Sequence, residues 1–171
     1  MYKVGELVIY SGEGVCRIEE IGVPDVRGAA GERTYYTLQP IYRTGRIYSP
    51  VDSKAFMRPV ITREEAEALI VDIPSAEAEI CDNRNIRFLS EHYQERLQRH
   101  DCMELVKLIK AVYKKRQLAA EKGKKLGQID ERFMKRAEDM LYGELAVALG
   151  IGKHEVESYI ASKLGELTVT A

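Results

Sequence analysis

The sequence predicts an α+β chain, with a small antiparallel β module first and an all-helical bundle of about five helices after it. Three observations carry this. Up to about residue 60, apolar residues alternate in short runs separated by Gly and Pro. From Thr62 onward they recur at spacings of three and four, and the change of period falls at Thr62 with Glu65 three residues on, the pattern of a capping box. A chain of 171 residues with 45% hydrophobic content can furnish two small cores, which divides it into residues 1–60 and 61–171.

The N-terminal runs KVGELVIY, GVCRIEEIG, RTYYTLQPIY and GRIYSPVD are the expected strands, curled into a partial barrel. Pro40, Pro50 and Pro59 each lack a backbone donor and belong at strand ends, edges or bulges. The longest break, Val23 to Arg33, reads as a hairpin loop. Gly12 and Gly14 in LVIYSGEGVCRIEEI raise the question of a phosphate cradle, but such a loop needs a helix behind it to present free N–H groups. The residues behind it are the strand-like V-C-R-I-E-E-I, so the glycines serve a tight turn between strands.

Five helices are expected: Thr62 to about Val71, Asn85 to Arg99, Asp101 to about Lys122, Gln128 to Leu149 and His154 to about Leu164. Asp101 is the N-cap of the third, with Glu104 three on, and Gly150 and Gly152 end the fourth. Val71 to Arg84, with Pro74 and a mixed acidic run, is a linker or a segment packed on a neighbour.

The formal net charge of −1 confines any nucleic-acid contact to a local patch. Three cysteines, Cys16, Cys81 and Cys102, fit reduced thiols rather than a disulfide framework. MYKVGELVIY has neither the apolar core nor the small-residue site of a secretory signal, and no transmembrane run occurs, so a cytoplasmic location is expected. Cys81, His92, His100 and Cys102 crowd one region without matching a closed zinc motif. No nucleophile elbow or triad is evident, and the Glu64, Glu65, Glu67 and Glu77, Glu79 runs read as solvated faces. The expectation is a non-enzymatic protein without a cofactor.

Two stretches point to binding. Lys107, Lys110, Lys114, Lys115, Arg116, Lys122, Lys124 and Lys125 stand against Glu121 alone. At 100° per residue Lys107, Lys110 and Lys114 share a face away from Leu105, Leu108, Ile109 and Val112, which makes either a phosphate-contacting stripe or a solvated face. In NIRFLSEHYQERLQR, Leu89, Tyr93 and Leu97 lie four apart and belong to the core. Ile86 and Phe88, flanked by Arg84 and Arg87, sit at the helix start, where apolar side chains either close a bundle or wedge into a base step.

The order K-V-G-E-L-V-I-Y, G-E-G-V, I-Y-S-P-V-D and, in the fourth helix, M-K-R-A-E-D-M-L-Y-G-E-L-A-V-A-L resembles the CarD family of bacterial transcription regulators over both halves of the chain. The resemblance implies that the β module is a Tudor-like RNA-polymerase-interacting domain, shared with the transcription-repair coupling factor, that docks on the lobe of the polymerase β subunit. Arg46, Ile47, Tyr48 and Ser49 would carry that contact. It also implies that the helical half meets promoter DNA at the bubble edge and stabilises the open complex, here through Arg84, Ile86, Arg87, Phe88, Lys110 and Lys114, with little sequence specificity. Relatives place a tryptophan after the asparagine at the second helix start, whereas Asn85 here precedes Ile86 and the chain has no tryptophan. The other reading is a protein–protein adaptor without DNA contact, and an exposed strand edge also permits a homodimer by strand exchange.

Overall fold

The computed structural model describes residues 1–24 and 33–170, the last five by their backbone alone. The chain forms two compact units, Met1–Ile61 and Thr62–Ala171.

The first unit is a five-stranded antiparallel sheet: β1 (Leu7–Tyr10), β2 (Gly14–Gly22), β3 (Tyr35–Pro40), β4 (Ile47–Pro50) and β5 (Met57–Pro59), in the order β4-β3-β2-β1-β5. The sheet is open, with β4 and β5 at opposite edges. Residues 11–13 make one 3-10 turn between β1 and β2, and Gly14, at φ +79°, takes the left-handed conformation that starts β2 opposite Tyr10. A strand succeeds the Gly12 to Gly14 turn, as the alternation predicts.

β2 and β3 pair from Cys16↔Pro40 to Gly22↔Tyr35, with an irregularity between Ile18 and Glu20. The hairpin loop expected between these strands lies mostly outside the described residues. Three-residue β5 was not among the expected strands, being too short to show an alternation. Val8, Cys16, Ile18, Tyr36 and Leu38 form the core, with Tyr2, Tyr10, Ile47 and Met57 packed around it. Burial pushes the Cys16 thiol up to about 11, so it stays protonated at neutral pH.

The second unit contains α1 (Arg63–Asp72), α2 (Ile86–Gln98), α3 (Cys102–Glu121), α4 (Gln128–Leu149) and α5 (Val156–Thr170). The local signals act as the sequence predicts. Thr62 Oγ accepts from the Glu65 N–H at 3.1 Å while Glu65 returns the bond to the Thr62 N–H at 3.1 Å. Asp101 Oδ1 accepts from Met103, and Gly150, at φ +68°, ends α4. Asn85, expected as the first residue of its helix, is instead its N-cap, with Oδ1 accepting from the N–H groups of Arg87 and Phe88. The expected fifth helix differs: Lys153–Glu155 is a 3-10 turn, α5 starts at Val156, and its backbone continues past Gly165. A single glycine weakens a helix interior by about 1 kcal/mol without ending it.

α3 packs along α4, α2 packs against both, and α1 and α5 pack against α4. Leu89, Tyr93 and Leu97 of α2, Leu105, Leu108 and Val112 of α3, and Phe133, Ala137, Leu141 and Leu145 of α4 are buried. Among the described residues, no helix is long and apolar enough to cross a membrane.

Candidate functional site: a free sheet edge and a cationic helical face

The two edges of the sheet differ in what their outward main-chain groups meet. At β4, the Val51 N–H donates to Thr34 O at 3.0 Å, so Thr34 and Val51 are a hydrogen-bonded pair. Counting along the register, Tyr36/Ser49 and Leu38/Ile47 are bonded pairs as well, while Thr37/Tyr48 is not. The N–H and C=O of Tyr48 therefore point away from the sheet, and among the described residues no hydrogen bond reaches them.

The same parity at β5 results from Ser11 N–H to Phe56 O at 2.9 Å and turns Met57 and Pro59 outward. There, Met57 O accepts from the Tyr2 hydroxyl at 3.2 Å, Pro59 has no N–H, and Pro59 O accepts from the Arg58 guanidinium at 3.0 Å. Side chains thus take both outward carbonyls of β5, whereas at β4 the Pro50 carbonyl is taken by the Ser53 N–H at 3.0 Å and the N–H and C=O of Tyr48 stay open.

This divides the four residues expected to meet a partner at β4. Arg46 and Tyr48 are exposed, and Tyr48 offers its backbone too. Ile47 packs against the core and Ser49 is buried, so they hold the strand in place. Tyr42, on the loop before β4, is also exposed at 44%, and nearby Arg43 pairs with Glu13.

In the helical unit, Ile86 is 65% and Phe88 51% exposed, although both are large apolar residues on the first turn of α2. Arg84 is exposed beside them, and Arg87 makes a surface ion pair with Glu91 at 3.2 Å. Neither Ile86 nor Phe88 is packed into the core of this unit, since more than half of each residue is exposed. Leu89, one residue on, turns into the core.

The basic run that begins in α3 separates into an exposed group and a group turned back onto the chain, with the half-buried Lys107 in neither. Lys114, Arg116, Lys122, Lys124 and Lys125 are exposed, as are the apolar Tyr113 and Leu118. Lys110 and Lys115 turn back onto the chain: the Lys110 ammonium donates to Ile73 O, Pro74 O and Ala76 O, and that of Lys115 to Cys81 O and the buried Asp130. Asp130 also accepts from the Tyr93 hydroxyl at 2.5 Å, and burial together with this bond raises the Tyr93 pKa.

A further cationic row was not among the sequence candidates. Arg132, Lys135 and Arg136 are exposed at spacings of three and four, on the side of α4 opposite Ala137 and Leu141. The guanidinium carbons of Arg132 and Arg136 lie 5.3 and 5.4 Å from the centre of the buried Phe133 ring, within cation–π range. Arg136 also donates to Gln94 of α2 at 3.3 Å. The spacing was readable in R-F-M-K-R-A, but the longer run of α3 was the more conspicuous signal.

The linker between α1 and α2 forms one wall of a cavity of about 280 Å³, with Glu77 and Glu79 on that wall and His92, Arg96, Glu104 and Lys107 on α2 and α3. Burial works to raise the Glu104 carboxyl, but the hydrogen bond and charge of Arg96, 3.0 Å away, hold it below the usual range. Burial and then Arg96 lower the His92 pKa. With carboxylates and cations mixed around it, this lining favours no one sign of ligand. Cys102 donates from its thiol to the buried Glu144, and among the described residues no group of three or more His, Cys, Asp or Glu is placed to hold a metal ion.

Comparison with protein families places this geometry. Residues 2–61 match the family model described as the CarD-like/TRCF RID domain, an RNA-polymerase-interacting domain, and the match covers the first unit. Comparison with curated proteins finds no match. The N-terminal match supports an RNA-polymerase-binding role related to transcription.

Proposed function

We propose that this chain is a non-enzymatic transcription regulator that joins RNA polymerase to promoter DNA. The observation that carries the reading is the open β4 edge on a domain of the CarD-like/TRCF kind. A strand from the lobe of the polymerase β subunit adds to that edge. The outward N–H and C=O of Tyr48 supply main-chain hydrogen bonds, and the Arg46 and Tyr48 side chains supply selectivity. We read the sheet as an open variant of the Tudor-like barrel.

The helical unit then meets promoter DNA. Arg84, Arg87, Lys114 and the Arg132, Lys135, Arg136 row are the phosphate contacts, and the exposed Ile86 and Phe88 rest against the last stacked base pair at the edge of the bubble. Isoleucine and phenylalanine together replace part of the apolar area of an indole but not its N–H donor. The effect on transcription is differential binding: the open promoter is favoured by the difference between its affinity and that of the closed promoter, and by no more.

The first test measures binding of the full chain to the isolated β-subunit lobe, with Tyr48→Ala and Arg46→Glu beside the wild type. Binding that the two variants lose supports the reading, and a wild type that does not bind rejects it. A second reading, an adaptor without DNA contact, is favoured by the absence of tryptophan. Binding to a forked promoter that weakens steeply with salt decides for DNA. Pairing of β4 with the same strand of a second copy is the competing use of the edge, and its sign is a dimer that the lobe dissociates.

A further inference from the structure

We propose that Lys110 and Lys115 are positioning residues, which bolt the connector between α1 and α2 onto α3 and so fix how Arg84 to Phe88 are presented. The proposal rests on the DNA-binding reading and assigns Lys110 a role other than touching phosphate. An ammonium has three donors, and Lys110 spends them on three carbonyls: Ile73 O at 2.7 Å, Pro74 O at 3.3 Å and Ala76 O at 2.6 Å. These carbonyls lie just past the C-terminal end of α1, where unpaired carbonyls and the negative end of the helix dipole favour a cation.

At the far end of the connector, Lys115 donates to Cys81 O at 3.0 Å and to Asp130 Oδ1 at 3.0 Å. Asp130 is buried and held by Tyr93, so this second bolt is anchored in the helical core.

Between the two bolts the chain has little else to fix it. Ala76, Ala78 and Ile80 are half-buried and alternate with the exposed Glu77 and Glu79, the pattern of an extended segment lying on a surface. Among the described residues, no backbone–backbone hydrogen bond involves 77–82. Four residues after Cys81 stands Asn85, whose side chain caps α2 through the Arg87 and Phe88 N–H groups. The position of the Cys81 carbonyl therefore sets where the α2 start emerges.

Lys115 also neutralises Asp130, so the test uses Lys110. The full chain is compared as wild type, Lys110→Met, Lys110→Arg and Lys114→Met, the last removing an exposed cation from the same helix. Amide hydrogen exchange is measured without DNA, and affinity for a forked duplex is measured over a range of salt concentration. Lys110→Met is expected to speed exchange of the hydrogen-bonded amides at the two ends of the connector, Ala76 before it and the cap-bonded Arg87 and Phe88 after it, by about tenfold or more, leave α4 protected, and weaken DNA binding severalfold with the salt slope unchanged. Lys110→Arg restores both values. Lys114→Met leaves exchange unchanged and lowers the slope by about 0.9, the loss of one phosphate contact.

Unchanged exchange in Lys110→Met overturns the proposal, as does exchange that accelerates equally in α4, which marks a global loss of stability. If the wild type does not bind DNA, the DNA reading fails, and the exchange result alone decides whether Lys110 holds the connector.

Discussion

The β4 and β5 edges belong to one sheet and expose backbone at the same parity, yet they differ in which outward carbonyls are already taken: at β5 both are, while at β4 Pro50 O is bonded to the Ser53 N–H and Tyr48 O is left open. At β5, a hydroxyl from Tyr2, a proline without an N–H and the Arg58 guanidinium occupy the outward positions. At β4, the outward Tyr48 groups have no such cover among the described residues. A sheet with two open edges is a template for unlimited association, whereas one with a single open edge can bind one partner and stop. Edge chemistry, more than strand content, sets what this module can bind.

Substitutions can break or sharpen that contrast. The largest effect is expected from Ile47→Pro, which removes the N–H of a residue in a bonded pair with Leu38 and leaves a carbonyl unpaired. It should cost about 1–3 kcal/mol of stability, read as a lowered denaturation midpoint of the N-terminal unit, and abolish lobe binding. Tyr48→Pro, one residue away, removes only the outward N–H. Stability should change by about 0.5 kcal/mol or less while lobe binding falls at least about tenfold, or about 1.4 kcal/mol, by calorimetry. Equal effects from the two prolines would mean that the parity is wrong.

At the other edge, Tyr2→Phe removes the hydroxyl over Met57 O and should cost about 1 kcal/mol in thermal unfolding with lobe binding unchanged. The smallest effect is expected at the loop before β4: Arg43→Ala breaks an exposed pair with Glu13 and should change stability by about 0.5 kcal/mol or less.

The readable parts of this molecule were those in which cause and effect lie within one or two helical turns. The Thr62/Glu65 box, the Asp101 cap, the Gly150 stop and the Leu89, Tyr93, Leu97 stripe are all decided by neighbours three to five residues away, and all stand where the pattern placed them. β5 escaped because three residues cannot show a period, and the α5 start shifted because a 3-10 turn uses the same residues as a first helical turn. The candidate site was less legible. Arg46 and Tyr48 share a strand with Ile47 and Ser49, and only the pairing with β3 tells which of the four face outward.

The sequence by itself determined the two periods, the Thr62 and Asp101 caps and the turn at Gly14, because each is set by backbone geometry and side chains that are close in the chain. Tertiary structure decided which carbonyls of the two edges stay open, which lysines of one basic run face solvent, and that Arg132, Lys135 and Arg136 are exposed on α4. Tyr2 meets Met57 across 55 residues and Lys110 meets Ile73 across 37. Pairings at such separations exist only after the chain has closed its loops, so no local pattern encodes them.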